Sequence, residues 1–273
     1  VSNDSLTLGV FDSGFGGLTV LRALLPLMPA ARSIYLGDTA RLPYGSKSRE
    51  TISRYAVSSA KFLHEEGANV LVIACNTATA LALDDIQDAL PIPVIGVIEP
   101  GAEAAQLAGG GQVLVLATSA TVQSRAYTKA LQARGLSVCE KACPLLVPLV
   151  EEGWTNHNVT DEVLKIYLSE ALESAPETTT LLLGCTHYPL LEPSIRRTLN
   201  RLGHSLRIID SAEATALATQ KLVADKFPQL TFDVDAIGPQ EFFATDSIEK
   251  FQRLGAQFLG RPLVEVKLVD LGG

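Results

Sequence analysis

Apolar positions along the chain follow two rhythms: short β-branched runs, and longer stretches with apolar residues three or four apart. Leu6 to Phe11 predicts a first strand, Gly17 to Met28 a helix, and Ser33 to Gly37 a second strand. Within Glu50 to Glu66, Ile52, Tyr55, Ala56, Phe62 and Leu63 recur at helical spacing. Val70 to Ala74 then predicts a strand, Ala78 to Ala89 a helix, and Pro93 to Ile98 a fourth strand. After this the pattern restarts. Strands over Gln112 to Ala117, Leu136 to Cys139, Thr179 to Gly184 and Leu206 to Asp210 alternate with helices over Val122 to Arg134, Asp161 to Glu173 and Pro193 to Leu202. The tail adds helices over Ala212 to Asp225 and Ile248 to Leu259, then a β-like run from Leu263 to Val269. Repeated βα units predict an α/β fold with parallel sheets covered by helices, and ligands at the carboxyl ends of the strands. The Gly109-Gly110-Gly111 run between the two series reads as a hinge or as a surface turn.

A chain of 273 residues with 47% apolar content can bury one large α/β core or two smaller ones. The formal charge of −8 and the lack of a Lys/Arg block argue against nucleic acid as the main ligand. No apolar stretch reaches the roughly 18 residues of a membrane span. Val1-Ser2-Asn3-Asp4-Ser5 has no basic n-region, so no signal peptide and a cytoplasmic location are expected. Four cysteines are too few for a disulfide framework in a chain of this size, which fits a reducing compartment. Cys139 and Cys143 lack a second Cys/His pair, so they read as core thiols and no metal site is expected.

The other two cysteines lie in matching contexts. Ala74-Cys75-Asn76-Thr77 and Gly184-Cys185-Thr186-His187 each follow an apolar strand-like run and lead into a helical stretch. Two thiols at matching strand ends suit a reaction that needs a proton base on each side of one carbon. Residues two apart share a face in extended chain, so Cys75 can point with Thr77, and Cys185 with His187. Unpaired N–H groups at a following helix start would favour thiolate. His187 is placed to tune Cys185. His64, His157 and His204 sit in ordinary contexts and read as structural.

Phe11-Asp12-Ser13-Gly14-Phe15-Gly16-Gly17 follows the first strand and can cradle an anion with its backbone N–H groups. Asp38 ends the next strand, as in dinucleotide sites, but Thr19 stands where that fingerprint needs its third glycine. A small carboxylate is the better guest. Asp12 reads as a helper to one thiol or as a helix N-cap. Tyr44, in the Leu42-Pro43-Tyr44-Gly45 turn, is available to a ligand. Thr118-Ser119-Ala120-Thr121 offers hydroxyls either to a ligand or as helix caps, and Glu151 and Glu152 are either solvated or turned into a cleft.

Phe11-Asp12-Ser13-Gly14, Pro43-Tyr44-Gly45, Ala74-Cys75-Asn76-Thr77 and Gly184-Cys185-Thr186-His187-Tyr188-Pro189 together resemble the glutamate racemases of the aspartate/glutamate racemase superfamily. The resemblance runs from about Leu8 to the last strand. Histidine after Gly-Cys-Thr resembles the glutamate enzymes, whereas aspartate racemases carry glutamate there. The resemblance implies two α/β domains related by approximate two-fold symmetry, one formed by residues 1–97 and 208–273, the other by 98–207. It implies a site in the cleft between them and no cofactor. Cys75 would take the α-proton of D-glutamate with help from Asp12, and Cys185 that of L-glutamate with help from His187. Asp12, Ser13, Tyr44, Gly45, Asn76, Thr77, Thr121, Thr186 and His187 would contact substrate. One glutamate of the Pro148-Leu149-Val150-Glu151 stretch would act behind them.

The resemblance also implies a bacterial source and supply of D-glutamate for peptidoglycan; whether the protein forms a homodimer is left open. Some relatives carry an N-terminal extension linked to activation by a cell-wall precursor. Only about seven residues precede the first strand here, which puts that control in doubt. A racemase of another acidic amino acid, a dinucleotide-dependent oxidoreductase and a non-catalytic amino-acid-binding module are the alternatives.

Overall fold

All strand pairings in this computed structural model are parallel, across two sheets within residues 6–109, 111–230 and 236–272, which the structure describes. Residues 1–5, on which the leader reading rests, and Gly110 of the triple-glycine run lie outside the described residues. The first series runs β1 (Thr7–Asp12), α1 (Leu18–Leu24), β2 (Arg32–Gly37), α2 (Arg49–Glu65), β3 (Val70–Ile73), α3 (Asn76–Ala89), β4 (Val94–Gly96) and α4 (Ile98–Leu107). Short 3-10 turns at Thr39–Arg41 and Tyr44–Ser46 separate β2 from α2. The second series runs β5 (Gln112–Ala117), α5 (Ser119–Ser124), α6 (Ala126–Gln132), β6 (Ser137–Ala142), α7 (Leu146–Glu151), α8 (Asn158–Ser174), β7 (Thr178–Gly184), a 3-10 turn at Tyr188–Leu191, α9 (Glu192–Arg201) and β8 (Arg207–Asp210). The chain closes with α10 (Ser211–Lys226), β9 (Gln240–Ala244), α11 (Ile248–Leu259) and β10 (Lys267–Leu268).

The first sheet has the order β10-β9-β2-β1-β3-β4 and the second β6-β5-β7-β8. Each series of four strands therefore repeats one order: second, first, third, fourth. The registers match as well. Phe11 pairs with Ile73 and Leu116 with Leu183, while Asp12 pairs with Gly37 and Ala117 with Ala142. The Asp38 N–H donates to the Asp12 carbonyl at 3.0 Å, and the Cys143 N–H to the Ala117 carbonyl at 2.9 Å. Counting on from these pairs, Cys75 and Cys185 occupy equivalent positions, two residues beyond Ile73 and Leu183.

β1, β3, β5 and β7 are almost wholly buried, as parallel strands covered on both faces must be. Alternation still sorts their side chains. Val10 and Val72 point into a core that continues into the second sheet, while Phe11, Leu71 and Ile73 face α2 and α3. α10 packs against both α1 and α4, tying the two halves together behind the site. Among the described residues, no helix is long and apolar enough to cross a membrane.

Several boundaries differ from expectation for local reasons. α1 stops at Leu24, because Pro26 cannot continue the helical ladder. The helix expected over Val122 to Arg134 is two helices, broken at Arg125 in a left-handed conformation (φ 56°) and re-started by Ser124 Oγ accepting from the Ala126 N–H at 3.1 Å. The run from Pro93 to Ile98 supplies only the strand β4, and α4 begins at Ile98. The tail strand shrinks to Lys267–Leu268. An expected domain division at 207/208 cuts through β8, which pairs with β7 in the second sheet; the return to the first sheet follows Asp210.

Candidate active site

Cys75 and Cys185 line a single cavity of about 650 Å³ between the carboxyl ends of the two sheets. Ser13, Tyr44, Gly45, Thr77, Thr186 and His187 line it with them. The structure thus brings these eight residues, drawn from both motifs and the turns beside them, to one space.

Cys75 is the N-cap of α3, and its Sγ accepts from the Ala78 N–H at 3.4 Å. Ser13 Oγ lies 3.5 Å from the same sulfur. Cys185 has no such α-helix behind it; the chain turns into the 3-10 segment at Tyr188–Leu191, closed by the Tyr188 N–H donating to the Cys185 carbonyl at 3.0 Å. Its polar neighbour is His187, whose Nδ1 lies 3.9 Å from Sγ and 3.4 Å from Thr186 Oγ1.

The polar neighbours of each thiol come from its own half, and they do not repeat. By register, Asp12 in the first series corresponds to Ala117 in the second, and Thr77 corresponds to His187. Asp12 is buried behind Ser13, outside the cavity wall, with Oδ2 accepting from the Gly14 N–H at 2.9 Å and Oδ1 without a hydrogen-bond partner. Burial raises its carboxyl above the usual range, opposed by the nearby His187 and the N–H groups of Gly17, Gly14 and Ser13. On the other side, His187 Nε2 lies 3.3 Å from Glu151 Oε1, and Glu151 Oε2 lies 3.3 Å from Lys250 Nζ. Burial works to raise the Glu151 carboxyl, but the hydrogen bond and charge of His187, with Lys250, bring it below the ordinary value.

The N–H groups expected to favour thiolate are outweighed by burial at both thiols. Burial pushes Cys75 up to about 11, with the Asp12 charge adding and the Ser13 and Ala78 contacts opposing. Burial raises Cys185 as well; the His187 N–H opposes it, while Cys75, Asp12 and Cys143 add to it. Desolvation outweighs one or two N–H donors here. The two sulfurs also repel each other as thiolates, so ionising one disfavours ionising the other.

Three expected contact residues stand elsewhere. Asp12 is behind the wall, as described. Asn76 is buried, its Nδ2 donating to Tyr127 Oη at 2.8 Å and its Oδ1 unpartnered. Thr121 is wholly buried, its hydroxyl 3.2 Å from that of Thr77 and 3.0 Å from that of Thr118. Thr77 and Thr118 close this triangle at 2.9 Å, joining α3 of the first half to α5 of the second. Tyr44 reaches the wall, but its hydroxyl donates to Asp38 Oδ2 at 2.5 Å. Lys250, on α11, lines the cavity and carries no signal in the sequence beyond a lysine on an amphipathic helix.

Two α/β halves of one strand order, each offering a cysteine to a shared cavity, define a racemase-type site, and the chain belongs to the Asp/Glu/hydantoin racemase family, whose model matches residues 18–219. It is 48% identical to the glutamate racemase of Koribacter versatilis, covering 100% of both chains, and 44% identical to that of Geobacter metallireducens, covering 97% and 96%. Among solved structures, glutamate racemase from Francisella tularensis in complex with D-glutamate superposes with a TM-score of 0.89, at 34% identity over 98% of each chain.

Proposed function

We propose that this protein is a glutamate racemase that interconverts L- and D-glutamate by two-base proton transfer between Cys75 and Cys185. The observation that carries the reading is the shared cavity with a thiol at each of two register-equivalent strand ends. In one direction Cys75, as thiolate, takes the α-proton of D-glutamate while Cys185, as thiol, protonates the opposite face. In the other direction the roles reverse. Each transfer leaves one thiol and one thiolate, so protons balance without a further reagent.

Proton transfer by positioned groups contributes roughly 10²- to 10⁴-fold, about 3–5 kcal/mol. The remainder of a typical enzymatic acceleration, about 8–23 kcal/mol in total, has to come from the carbanion-like transition state. The hydroxyls of Ser13, Thr77 and Thr186, with the N–H groups at the start of α3, are donors of the right kind beside the cavity. The substrate ammonium supplies the positive charge that would bring one raised thiol into its ionised form. Asp12 would support Cys75, and His187, backed by Glu151, would support Cys185. Four unpaired cysteines fit a reducing, cytoplasmic setting, and the family resemblance supports D-glutamate supply for bacterial peptidoglycan as the role.

The test is circular dichroism of purified protein with L-glutamate and no added cofactor, with L-aspartate alongside. Loss of optical activity with glutamate is expected, and Cys75→Ala or Cys185→Ala abolishes it while the fold survives. In D₂O, early deuterium appears mainly in the product enantiomer. Full racemisation by either alanine variant, or glutamate binding with no change in ellipticity, removes the proposal.

A further inference from the structure

α11 belongs to the first half by its core packing. Phe251 sits against Phe15 and Tyr35, with ring centroids 5.7 and 5.9 Å apart. Two other residues of the same helix reach the opposite half. Phe258 meets the His187 ring edge-on at 5.0 Å, and Lys250 Nζ reaches Glu151 Oε2 at 3.3 Å while lying 5.4 Å from the Phe15 ring centroid. With Glu151 Oε1 at 3.3 Å from His187 Nε2 and His187 Nδ1 at 3.9 Å from Cys185 Sγ, one line of polar contacts runs from the cavity rim to a thiol.

The cations in the described cavity lining are Lys47 and Lys250. Lys47 donates to its own turn, at the Pro43 carbonyl, at 3.2 Å. Lys250 alone among them crosses between the halves. A carboxylate held through one oxygen can pivot about that contact; one held through both oxygens cannot. Glu151 is held on one side by His187 and on the other by Lys250.

We propose that Lys250 is a positioning residue: from α11 it holds Glu151 against His187 across the cavity mouth and so keeps the two halves closed over substrate. Its kinetic consequence rests on the racemase reading above; the contact itself does not. Lys250 is about half exposed (46%) and Glu151 much less so (17%), so the latch is a modest, salt-sensitive one.

Lys250→Gln and Lys250→Arg, made in the full chain, test it. At low salt, Lys250→Gln should lose about fivefold in kcat/KM, the upper end for a partly exposed ion pair, and Lys250→Arg should stay within about twofold of wild type. The loss must be equal in both directions, because the two enantiomers are equal in free energy. Near 0.5 M salt the gap between wild type and Lys250→Gln should close, since the Debye length falls to a few ångströms, roughly 4–5 Å. A second readout needs no turnover. Alkylation of Cys75 and Cys185 by iodoacetamide, followed by mass spectrometry, should be about fivefold faster in Lys250→Gln at low salt, with Cys139 as an unchanged reference. Equal alkylation and equal kcat/KM in Lys250→Gln and wild type overturn the latch. So does a defect that salt leaves intact or that arginine fails to restore. The expected alkylation response in a protein that does not racemise glutamate upholds the latch and overturns the functional reading instead.

Discussion

Asp12 and His187 come from opposite halves of the chain yet back onto consecutive glycines. A Cβ on Gly17 would stand 2.5 Å from the Cβ of Asp12, and one on Gly16 would stand 2.5 Å from His187 Nδ1. The first turn after β1 therefore presses against both side chains at once, and it needs glycine there for closeness. Gly16 and Gly17 take no left-handed conformation.

Gly16→Ala is the direct probe of that contact. The added methyl would also meet Thr186 Oγ1, so Thr186 and His187 must move, by an amount on the order of 1 Å. Misplacement of that size costs about 10²-fold in catalysis. The expected result is a loss of this order in kcat/KM, identical in both directions, with a far-UV spectrum like that of wild type. Wild-type turnover in Gly16→Ala would show that the turn can withdraw without disturbing His187.

Raised thiols set the direction of the pH response. With Cys75 pushed up to about 11, thiolate in the free enzyme becomes more populated as pH rises beyond the ordinary thiol value of about 8.5. kcat/KM, which reports the free enzyme, should still be climbing above that value. Stability runs the opposite way. The folded state holds this proton more tightly than the unfolded chain, so the contribution is complete below about 8.5 and is lost as pH rises toward 11. Urea unfolding across this window should show a decline that is smaller in Cys75→Ala. A kcat/KM profile already level at neutral pH would contradict a raised Cys75 thiol.

The parts of this site visible in the sequence are those written in local pattern. Cys75 and Cys185 follow buried, β-branched or leucine runs, and those runs fix the strand ends. β9 escaped because Gln240–Ala244 has only two bulky apolar residues, and pairing with β2 makes it a strand. α4 had no expected counterpart; Pro100 lies in its first turn, where the missing N–H costs nothing. Asp38 looked like part of a nucleotide site. It lies instead under the cavity wall, and its partners Tyr44 and Thr245 lie in turns that sequence spacing cannot bring together. The Thr77–Thr118–Thr121 triangle likewise joins two separate βα series, a relation that exists only in the folded chain.

Tyr44→Phe separates a structural tyrosine from a substrate-binding one. Asp38 is fully buried and accepts from Tyr44 Oη at 2.5 Å and from Thr245 Oγ1 at 3.0 Å, with Arg41 Nη1 at 3.5 Å. Burial already raises this carboxyl, against the pull of Tyr44, Arg41 and Thr245. Removing one donor leaves a buried charge less well satisfied, at a cost of about 1–3 kcal/mol. That cost should appear at pH 7 and shrink in acid, where Asp38 is neutral. Denaturant unfolding of Tyr44→Phe at both pH values reads it. An undiminished stability at pH 7 with a raised KM would assign the hydroxyl to substrate.

Asp210 offers a stabilising change away from the cavity. Its Oδ1 caps α10 by accepting from the Ala212 N–H at 2.8 Å. Burial, with Glu213 and Glu192 adding, lifts it to about 6 despite that N–H and Arg22. The folded state thus favours the protonated acid. The stability this provides is complete below the unfolded value of about 3.9 and is lost as pH rises through about 6. Asparagine keeps the capping oxygen and carries no charge. Asp210→Asn should therefore raise stability at pH 7 by about 3 kcal/mol, the equivalent of the shift, and by much less at pH 4. Paired urea titrations at the two pH values measure the difference. A gain of equal size at both would mean that charge at Asp210 is not what the folded state resists.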